Sequence, residues 1–158
     1  MEAVNLRLAT SADLLALCEL RFEFLAEIRG IRPDDLPGRL SDDTRQFFER
    51  TLPSGRTFSW LVEDAGRPVG LASVVVHDVP PLPQDPRSRE GYIINMYVRP
   101  GFRGRGIGRR LLDACLGIAV DQGICRFNLY ATTSGRPMYE RAGFANHKDW
   151  MVVQVPRD

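Results

Sequence analysis

A segment rich in glycine and arginine, placed between a predicted strand and a predicted helix, limits the fold more than any other feature of this chain. Apolar residues alternate over Tyr92–Val98, change to helical spacing over residues 106–120, and alternate again over Cys125–Ala131. A strand, a helix and a second strand in this order predict a right-handed crossover between two parallel strands. The fold is therefore expected to contain one parallel β-α-β unit.

The apolar patterns outside this unit predict further helices and strands. In chain order they are a strand over Leu6–Ala9, a helix over residues 12–29, a helix capped by Ser41 and stopped by Pro53, a hairpin of Thr57–Glu63 and Val69–His77, a loop over residues 78–90, a short helix from Pro137 to Gly143, and a strand over Trp150–Val155. A doubly wound sheet would need more regular alternation. We therefore predict a mixed α/β sheet in a single domain, residues 1–158.

Composition argues against several other classes of protein. The chain has 21 Lys and Arg against 20 Asp and Glu, so wholesale nucleic-acid binding is not expected. No apolar run approaches the ~20 residues of a membrane span, and the first residues lack the pattern of a signal peptide. Cys18, Cys115 and Cys125 form no metal-binding or disulfide pattern with one another or with the two histidines. We expect a cytoplasmic protein with no metal, no membrane contact and no nucleic-acid partner.

The glycine- and arginine-rich turn has the composition of a phosphate-binding site. The start of a helix exposes unpaired N–H groups, and glycines let the backbone approach an anion closely. The turn is not a P-loop, which needs a lysine after its glycines. It is not a dinucleotide fingerprint either, because Gly104, Gly106 and Gly108 run Gly-x-Gly-x-Gly. Arg103-x-x-Gly106-x-Gly108 is the pattern that remains.

This pattern and its surroundings resemble the pyrophosphate-binding motif of the GCN5-related N-acetyltransferase (GNAT) superfamily, which binds acetyl-CoA. In that superfamily the motif follows a strand ending Val-x-Pro, as Val98-Arg99-Pro100 does here. A later short helix there carries Tyr-Glu-x-x-Gly-Phe, matched by residues 139–144. The resemblance covers motifs within residues 92–155, whereas the first 90 residues match only in layout. It implies a mostly antiparallel central sheet with one parallel crossover and helices on both faces.

The resemblance also implies direct transfer of an acetyl group from acetyl-CoA to a primary amine of a small molecule or peptide. The implied cofactor-binding residues lie on the strand before the turn, in the turn and at the start of the helix: Met96, Tyr97, Val98, Arg103, Gly104, Arg105, Gly106, Ile107, Gly108 and Arg109. A backbone N–H at a bulge in that strand, at Met96 or Val98, is expected to stabilise the oxyanion. Thr133 and Ser134 stand where relatives often place a pantetheine-binding Asn.

The resemblance assigns an acid but leaves the base open. Tyr139 stands at the position of the family's general acid, which protonates the leaving thiolate. The strand Tyr92–Val98 has no carboxylate, and its polar residue Asn95 can hydrogen-bond but cannot take a proton at neutral pH. Asn95 is nevertheless predicted, together with Tyr139, to be catalytic. A water chain or a carboxylate elsewhere, among them Glu23, Glu27 and Glu63, is left as the base.

Two residues of the first helix are candidates for binding the acceptor. Arg21 lies on the apolar stripe, where it either packs its stem and extends its charge into water or binds a substrate carboxylate. Glu27 is the second candidate, since the first two helices wall the acceptor site in the family. The sequence does not identify the acceptor amine, and it leaves homodimerisation open.

Two other functions compete with the enzyme. A non-catalytic, regulatory module that binds acyl-CoA would keep the phosphate turn without a base, but the presence of Tyr139 argues against it. An RNA-binding Arg-Gly segment would need a repeated, disordered tract with aromatic residues. This chain has a single copy, placed between a strand and a helix.

Overall fold

Five strands form one sheet in sequential order in the computed structural model, which describes residues 4–155. The strands are β1 (Asn5–Leu8), β2 (Thr57–Asp64), β3 (Arg67–Asp78), β4 (Arg89–Val98) and β5 (Ile124–Asn128). Strands β1 to β4 pair antiparallel, and β4 pairs with β5 in parallel. The mixed sheet with one parallel crossover is confirmed.

Four helices connect the strands. They are α1 (Leu14–Arg29), α2 (Arg39–Thr51), α3 (Ile107–Gly117) and α4 (Arg136–Arg141). A 3-10 turn over Ser11–Asp13 precedes α1, and Thr10 and Asp13 form a capping box around it. Helix α1 ends at Gly30, whose left-handed φ of 65° stops the helix. Every helix within residues 4–155 is too short or too polar to span a lipid bilayer.

The helices cover both faces of the sheet, as predicted. Leu61 and Leu71 of the central strands pack in one cluster with Leu17, Leu20 and Phe48 of α1 and α2. The neighbouring residues on those strands point the other way and pack in a second cluster, most of whose helical members lie on α3. Because both faces are buried, β2 and β3 carry continuous apolar runs instead of simple alternation.

A bulge at Asn95 reverses the faces of β4. The β3–β4 register shifts between Leu71 and Ser73, and Asn95 has a positive φ of 56°. Ile93 and Tyr97 are four residues apart and would share a face in a regular strand. Instead Ile93 packs in the cluster of α3 and Tyr97 in that of α1. The bulge therefore turns the last part of β4 over.

Beyond Tyr92, β4 and β5 separate. Their pairing ends at the Tyr92–Asn128 pair, so residues 93–98 have no strand neighbour on that side within the described part of the chain. The predicted strand Cys125–Ala131 therefore stops early, at Asn128. The gap leads directly to the turn that begins α3.

The predicted strand over Trp150–Val155 is wrong. These residues have no strand partner among residues 4–155, and Met151, Val153 and Val155 are 91%, 85% and 83% exposed. An alternating apolar pattern indicates that the backbone of a segment favours an extended conformation. A strand also needs the edge of a neighbouring strand to pair with. The outer edge of β5 has no strand beside it in the described chain.

The predicted loop over 78–90 and two predicted helices differ only at their ends. Strand β3 runs through Asp78 and β4 begins at Arg89, so the loop covers Val79–Ser88. Helix α3 ends at Gly117 instead of residue 120, and α4 spans Arg136–Arg141.

Candidate functional site

The turn before α3 presents a row of free backbone donors. Gly104 and Gly106 have left-handed φ angles of 76° and 75°, and Gly106 is the N-cap of α3. Six successive N–H groups, from Gly104 to Arg109, have no hydrogen-bond partner among the described residues. Nothing lies within 4 Å of a Cβ built on Gly104 or Gly106, so the approach is open. Such a row of donors at the positive end of a helix suits a pyrophosphate.

The arginines of the turn are not equally free. Arg99 is bonded to Glu19 and Glu23 of α1, with shortest contacts of 2.6 and 2.7 Å. Arg103 is bonded to Glu27 at 2.7 Å and donates from Nε to the carbonyl of Val98. Arg109 pairs with Asp113. The ion pairs of Arg99 and Arg103 tie helix α1 to the turn, whereas that of Arg109 lies within α3.

Arg105 has no carboxylate partner in the described chain. Its guanidinium lies 5.1 Å from the centre of the Phe102 ring and donates to the carbonyl of Gly101. Among the three predicted cofactor-binding arginines, it is therefore the one whose charge the protein leaves unneutralised. It can give a bound anion a charge-assisted contact without first losing an ion pair.

Gly108 has a different neighbour from the other glycines of the motif. It lies in the first turn of α3, and an added Cβ would stand 3.2 Å from the sulfur of Met138 in α4. Because Gly108 has no side chain, α3 can lie close to α4. The N–H of Gly108 also remains open to an anion. A substitution at Gly108 would disturb packing and anion binding together.

A cavity of about 640 Å³ lies between α1, α2 and the open part of β4. Its walls are mostly apolar, with Phe24, Ile28 and Phe47 on the helices and Met96 on the strand. The polar side chains that line it are Arg21, Asp43, Thr44, Tyr92, Asn95, Tyr130, Thr132 and Tyr139. The structure thus brings together four predicted residues from three distant segments, namely Arg21, Asn95, Met96 and Tyr139.

Arg21 and Asn95 are bonded to each other inside this cavity. Arg21 donates from Nη1 to Oδ1 of Asn95 at 2.5 Å. Burial lowers the pKa of Arg21 below its ordinary value. Asn95 is 2% exposed, and its Nδ2 has no partner among the described residues. The site therefore holds one positive charge and one unfilled donor.

Tyr139 has a hydroxyl that stays protonated at neutral pH. The residue is 7% exposed, and its ring packs edge-on against Phe144 with centroids 5.9 Å apart. Burial, with a smaller contribution from Cys115, raises the pKa of Tyr139 to about 12. The phenol is suited to give a proton and not to take one.

The carboxylates named from the sequence do not line this cavity. Glu23 is paired with Arg99, Glu27 with Arg103, and Glu63 with Arg7 at 2.7 Å. Asp43 of α2 is the one carboxylate among the described lining residues, and sequence reasoning missed it. The spacing gave a signal, because Asp43 lies three residues after Leu40 and four before Phe47. Its side chain is exposed, so Asp43 lies at the rim of the cavity.

Thr133 and Ser134 are exposed and lie next to the cavity, not in its wall. Thr132 lines it instead, and its hydroxyl accepts the N–H of Gly135 at 3.2 Å, at the start of α4. Tyr92 and Tyr130 also line it, in an edge-on contact of 6.2 Å between ring centroids. Both tyrosines lie where β4 and β5 separate.

A second cavity, of about 930 Å³, lies between β5 and the chain after α4. Glu90 and Arg126 line it as a bonded pair, and Trp150 lies at its edge. Tyr139 is the one predicted site residue in its wall. Within residues 4–155, no three His, Cys, Asp or Glu side chains are grouped to hold a metal ion.

Comparison with known proteins gives one consistent family. The model of the acetyltransferase (GNAT) family matches residues 19–144. A predicted acetyltransferase with acetyl-CoA from Clostridium acetobutylicum superposes with a TM-score of 0.86, at 28% identity over 96% of both chains. A GCN5-related N-acetyltransferase from Ralstonia eutropha superposes with a TM-score of 0.81, at 29% identity over 96% of this chain and 99% of that one.

Two curated relatives match only part of the chain. Mycothiol acetyltransferase of Beutenbergia cavernae is 35% identical over 88 residues, which are 54% of this chain and 27% of that protein. Glucosamine 6-phosphate N-acetyltransferase of Trypanosoma brucei brucei is 30% identical over 93 residues, or 59% of this chain and 61% of that protein. The chain thus covers less than two thirds of either relative.

Proposed function

The chain belongs to the acetyltransferase (GNAT) family, and on that premise we propose that it transfers an acetyl group from acetyl-CoA directly to a primary amine of a small molecule or peptide. One observation carries the proposal. The six free N–H groups of Gly104–Arg109 follow directly from the open part of β4, which lines the cavity that contains Tyr139. The anion site therefore lies next to an unpaired strand edge, and that edge borders the cavity that contains a proton donor.

The turn and β4 would hold acetyl-CoA. The free N–H groups of the turn bind its pyrophosphate, with Arg105 adding a charged contact. The unpaired edge of residues 93–98 offers backbone donors and acceptors to the amide groups of the pantetheine arm, as an added strand would. When bound, acetyl-CoA supplies a thioester whose carbonyl carbon is open to attack by an amine.

The bulge of β4 and Tyr139 would carry out the chemistry. At the bulge, the backbone N–H of Met96 or of Val98 would stabilise the negative charge that develops on the carbonyl oxygen. Tyr139 donates its proton to the departing thiolate, which its raised pKa allows at neutral pH. Asn95 holds Arg21 in the cavity and, being an amide, takes no proton.

We assign removal of the amine proton to Asp43. It is the carboxylate in the cavity wall, and it bears no ion pair among the described residues. Asp43→Asn should lower kcat/KM for the acceptor and leave the Kd of acetyl-CoA unchanged. Asp42→Asn is the matched control, since Asp42 is exposed like Asp43 but does not line the cavity. Equal effects of the two variants would exclude the assignment.

Arg21 and Glu27 are the proposed contacts to the acceptor, and the structure supports them unequally. Arg21 lines the cavity. Glu27 is bonded to Arg103 outside the cavity wall, so it would reach an acceptor only if that ion pair opened.

The decisive experiment separates the enzyme from a module that only binds acyl-CoA. Acetyl-CoA is incubated with a panel of polyamines, aminoglycosides, amino acids and peptides, and release of free thiol is followed. We expect turnover with at least one amine. Binding of acetyl-CoA by calorimetry, without thiol release from any amine, would favour the non-catalytic module.

The cellular location and the oligomeric state of the protein are also proposals. Cys18, Cys115 and Cys125 are all free thiols, which is consistent with a reducing cytoplasm.

If two copies associate, we propose that they do so through the outer edge of β5 and the exposed segment Trp150–Val155. Light scattering during size-exclusion chromatography measures the oligomeric state, and a dimer that survives deletion of residues 150–158 would exclude a contribution of that segment.

A further inference from the structure

The amide of Asn95, a residue of the cavity wall, has an orientation that leaves its buried nitrogen without a partner among the described residues. A guanidinium has donors and no acceptor. The bond from Arg21 therefore goes to the oxygen of the amide, as observed. The nitrogen, Nδ2, is then the end without a partner in the described chain. A buried donor without a partner is unfavourable, and one in the wall of a cavity indicates a ligand with an acceptor atom.

Arg21 adds a positive charge at the same place. Its hydrogen bond within the described residues is to the neutral Asn95. The titratable groups that act on it electrostatically are Cys18 and Tyr92, and neither is a carboxylate. The other charged group of the cavity wall is Asp43, on α2. A half-buried guanidinium without a carboxylate is stabilised by a ligand that brings the negative charge.

The hydrogen-bond donors and the side chains of the cavity wall indicate which kind of anion would bind. A carboxylate has two oxygens in one plane, which match one guanidinium and one amide N–H. A phosphate ester carries more charge, and the cavity wall contains a single cation. The helical walls, with Phe24, Ile28, Leu40 and Phe47, are apolar. They suit a hydrocarbon body between the carboxylate and the amine.

We propose that the acceptor is a primary amine carrying a carboxylate on an apolar body, and that Arg21 and Nδ2 of Asn95 bind this carboxylate. The identity of the amine as acceptor rests on the acetyl transfer proposed above. The binding of the carboxylate rests on the cavity alone.

Asn95→Asp is the sharpest variant for a test. Asp has nearly the same shape as Asn and also tolerates the left-handed conformation, with φ of 56° at this position. It keeps an oxygen for Arg21, replaces the free donor with a second oxygen, and neutralises the guanidinium. Asn146→Asp is the matched control, because Asn146 is exposed and bonded to Arg136. Should Asn95→Asp not fold, Arg21→Met replaces it, with the exposed Arg45→Met as control.

Binding is measured first, without turnover. The probe is 3-phenylpropionate, which has the carboxylate and an apolar body but no amine. We expect it to raise the Tm of the wild type and of Asn146→Asp, and to have no effect on Asn95→Asp. Equal protection of Asn95→Asp and the wild type would overturn the proposal.

Turnover is measured next with phenylalanine, its amide and 2-phenylethylamine, with rates corrected for the fraction of free amine. We expect the wild type to prefer the carboxylate by about 20-fold in kcat/KM, the effect typical of one hydrogen bond to a charged group. Asn95→Asp should remove this preference. Equal use of all three amines would overturn the proposal and leave acetyl transfer intact. No turnover with any amine would count against the transfer, and the 3-phenylpropionate measurement would still decide the carboxylate site.

Discussion

Tyr139→Phe tests the site and the packing of the fold together. The change removes one hydroxyl oxygen and keeps the ring, which packs against Phe144. Because the residue is 7% exposed, the phenolate is strongly disfavoured in the folded chain. The pKa of Tyr139 is accordingly raised from 10.0 to about 12.

The size of the effect on stability follows from that difference. A folded-state pKa above the unfolded value means that stability is complete below pH 10 and is lost as the pH rises towards 12. At pH 11 the unfolded tyrosine is mostly ionised and the folded one mostly neutral. The wild type should then have lost about 1.4 kcal/mol through this residue alone, rising to about 2.7 kcal/mol above pH 12.

Urea unfolding of wild type and Tyr139→Phe at pH 9 and at pH 11 measures this loss. Other groups, among them Cys115, titrate in both proteins, so their contributions largely cancel in the comparison. We expect the wild type to lose about 1.3 kcal/mol more than the variant between the two pH values. Identical losses would show that the phenol is not buried as described.

Kinetics with a known acceptor test the proton donor. If Tyr139 protonates the thiolate, kcat should fall by ~10²–10⁴ in Tyr139→Phe, the usual range for a general acid. kcat/KM should fall with it, because the contact forms mainly in the transition state. The Kd of acetyl-CoA should stay the same. A loss below about threefold would reduce Tyr139 to a packing residue.

Three other changes test separate parts of the structure. Gly106→Asp should abolish acetyl-CoA binding in calorimetry, since it brings a carboxylate to the free N–H groups; Gly55→Asp, at a similar left-handed φ of 67°, is the control and should bind normally. Ser59→Ala should lower the free energy of unfolding in urea by ~1–3 kcal/mol, because Ser73 would lose its 2.7 Å partner inside the sheet; the double variant with Ser73→Ala should be more stable than Ser59→Ala, and an equal or lower stability would contradict this account. Val153→Gln should change the free energy of unfolding by less than about 0.5 kcal/mol, as the side chain is 85% exposed, and a larger loss would show that the segment packs.

The unit β4–α3–β5 was predictable because its signals are local. Alternation, helical spacing and the glycines that break them all lie within residues 92–131. The resemblance to the family added the bulge near Met96. The conformation of Asn95 was not predictable, because a positive φ at a non-glycine residue depends on the register against β3.

The cavity was predictable only in part, because its walls come from distant segments. Arg21 was identified because a charge on an apolar stripe is unusual, but its bond to Asn95 joins residues 74 positions apart. The ion pairs that occupy Glu23 and Glu27 are equally long-range. The prediction of a strand over Trp150–Val155 was wrong for a related reason. The local sequence favours an extended backbone, but it does not show whether a neighbouring strand is available for pairing.

Helix α1 takes part in both halves of the site. One face carries Arg21 into the acceptor cavity, while Glu19, Glu23 and Glu27 on another bind Arg99 and Arg103 of the phosphate turn. An anion that draws Arg103 away from Glu27 therefore acts on the same helix that holds Arg21. If the two substrates bind as proposed, they share this helix, and we expect their binding free energies to be coupled. Thermodynamic linkage would make that coupling reciprocal. The Kd of the acceptor should consequently differ between the free protein and its complex with CoA.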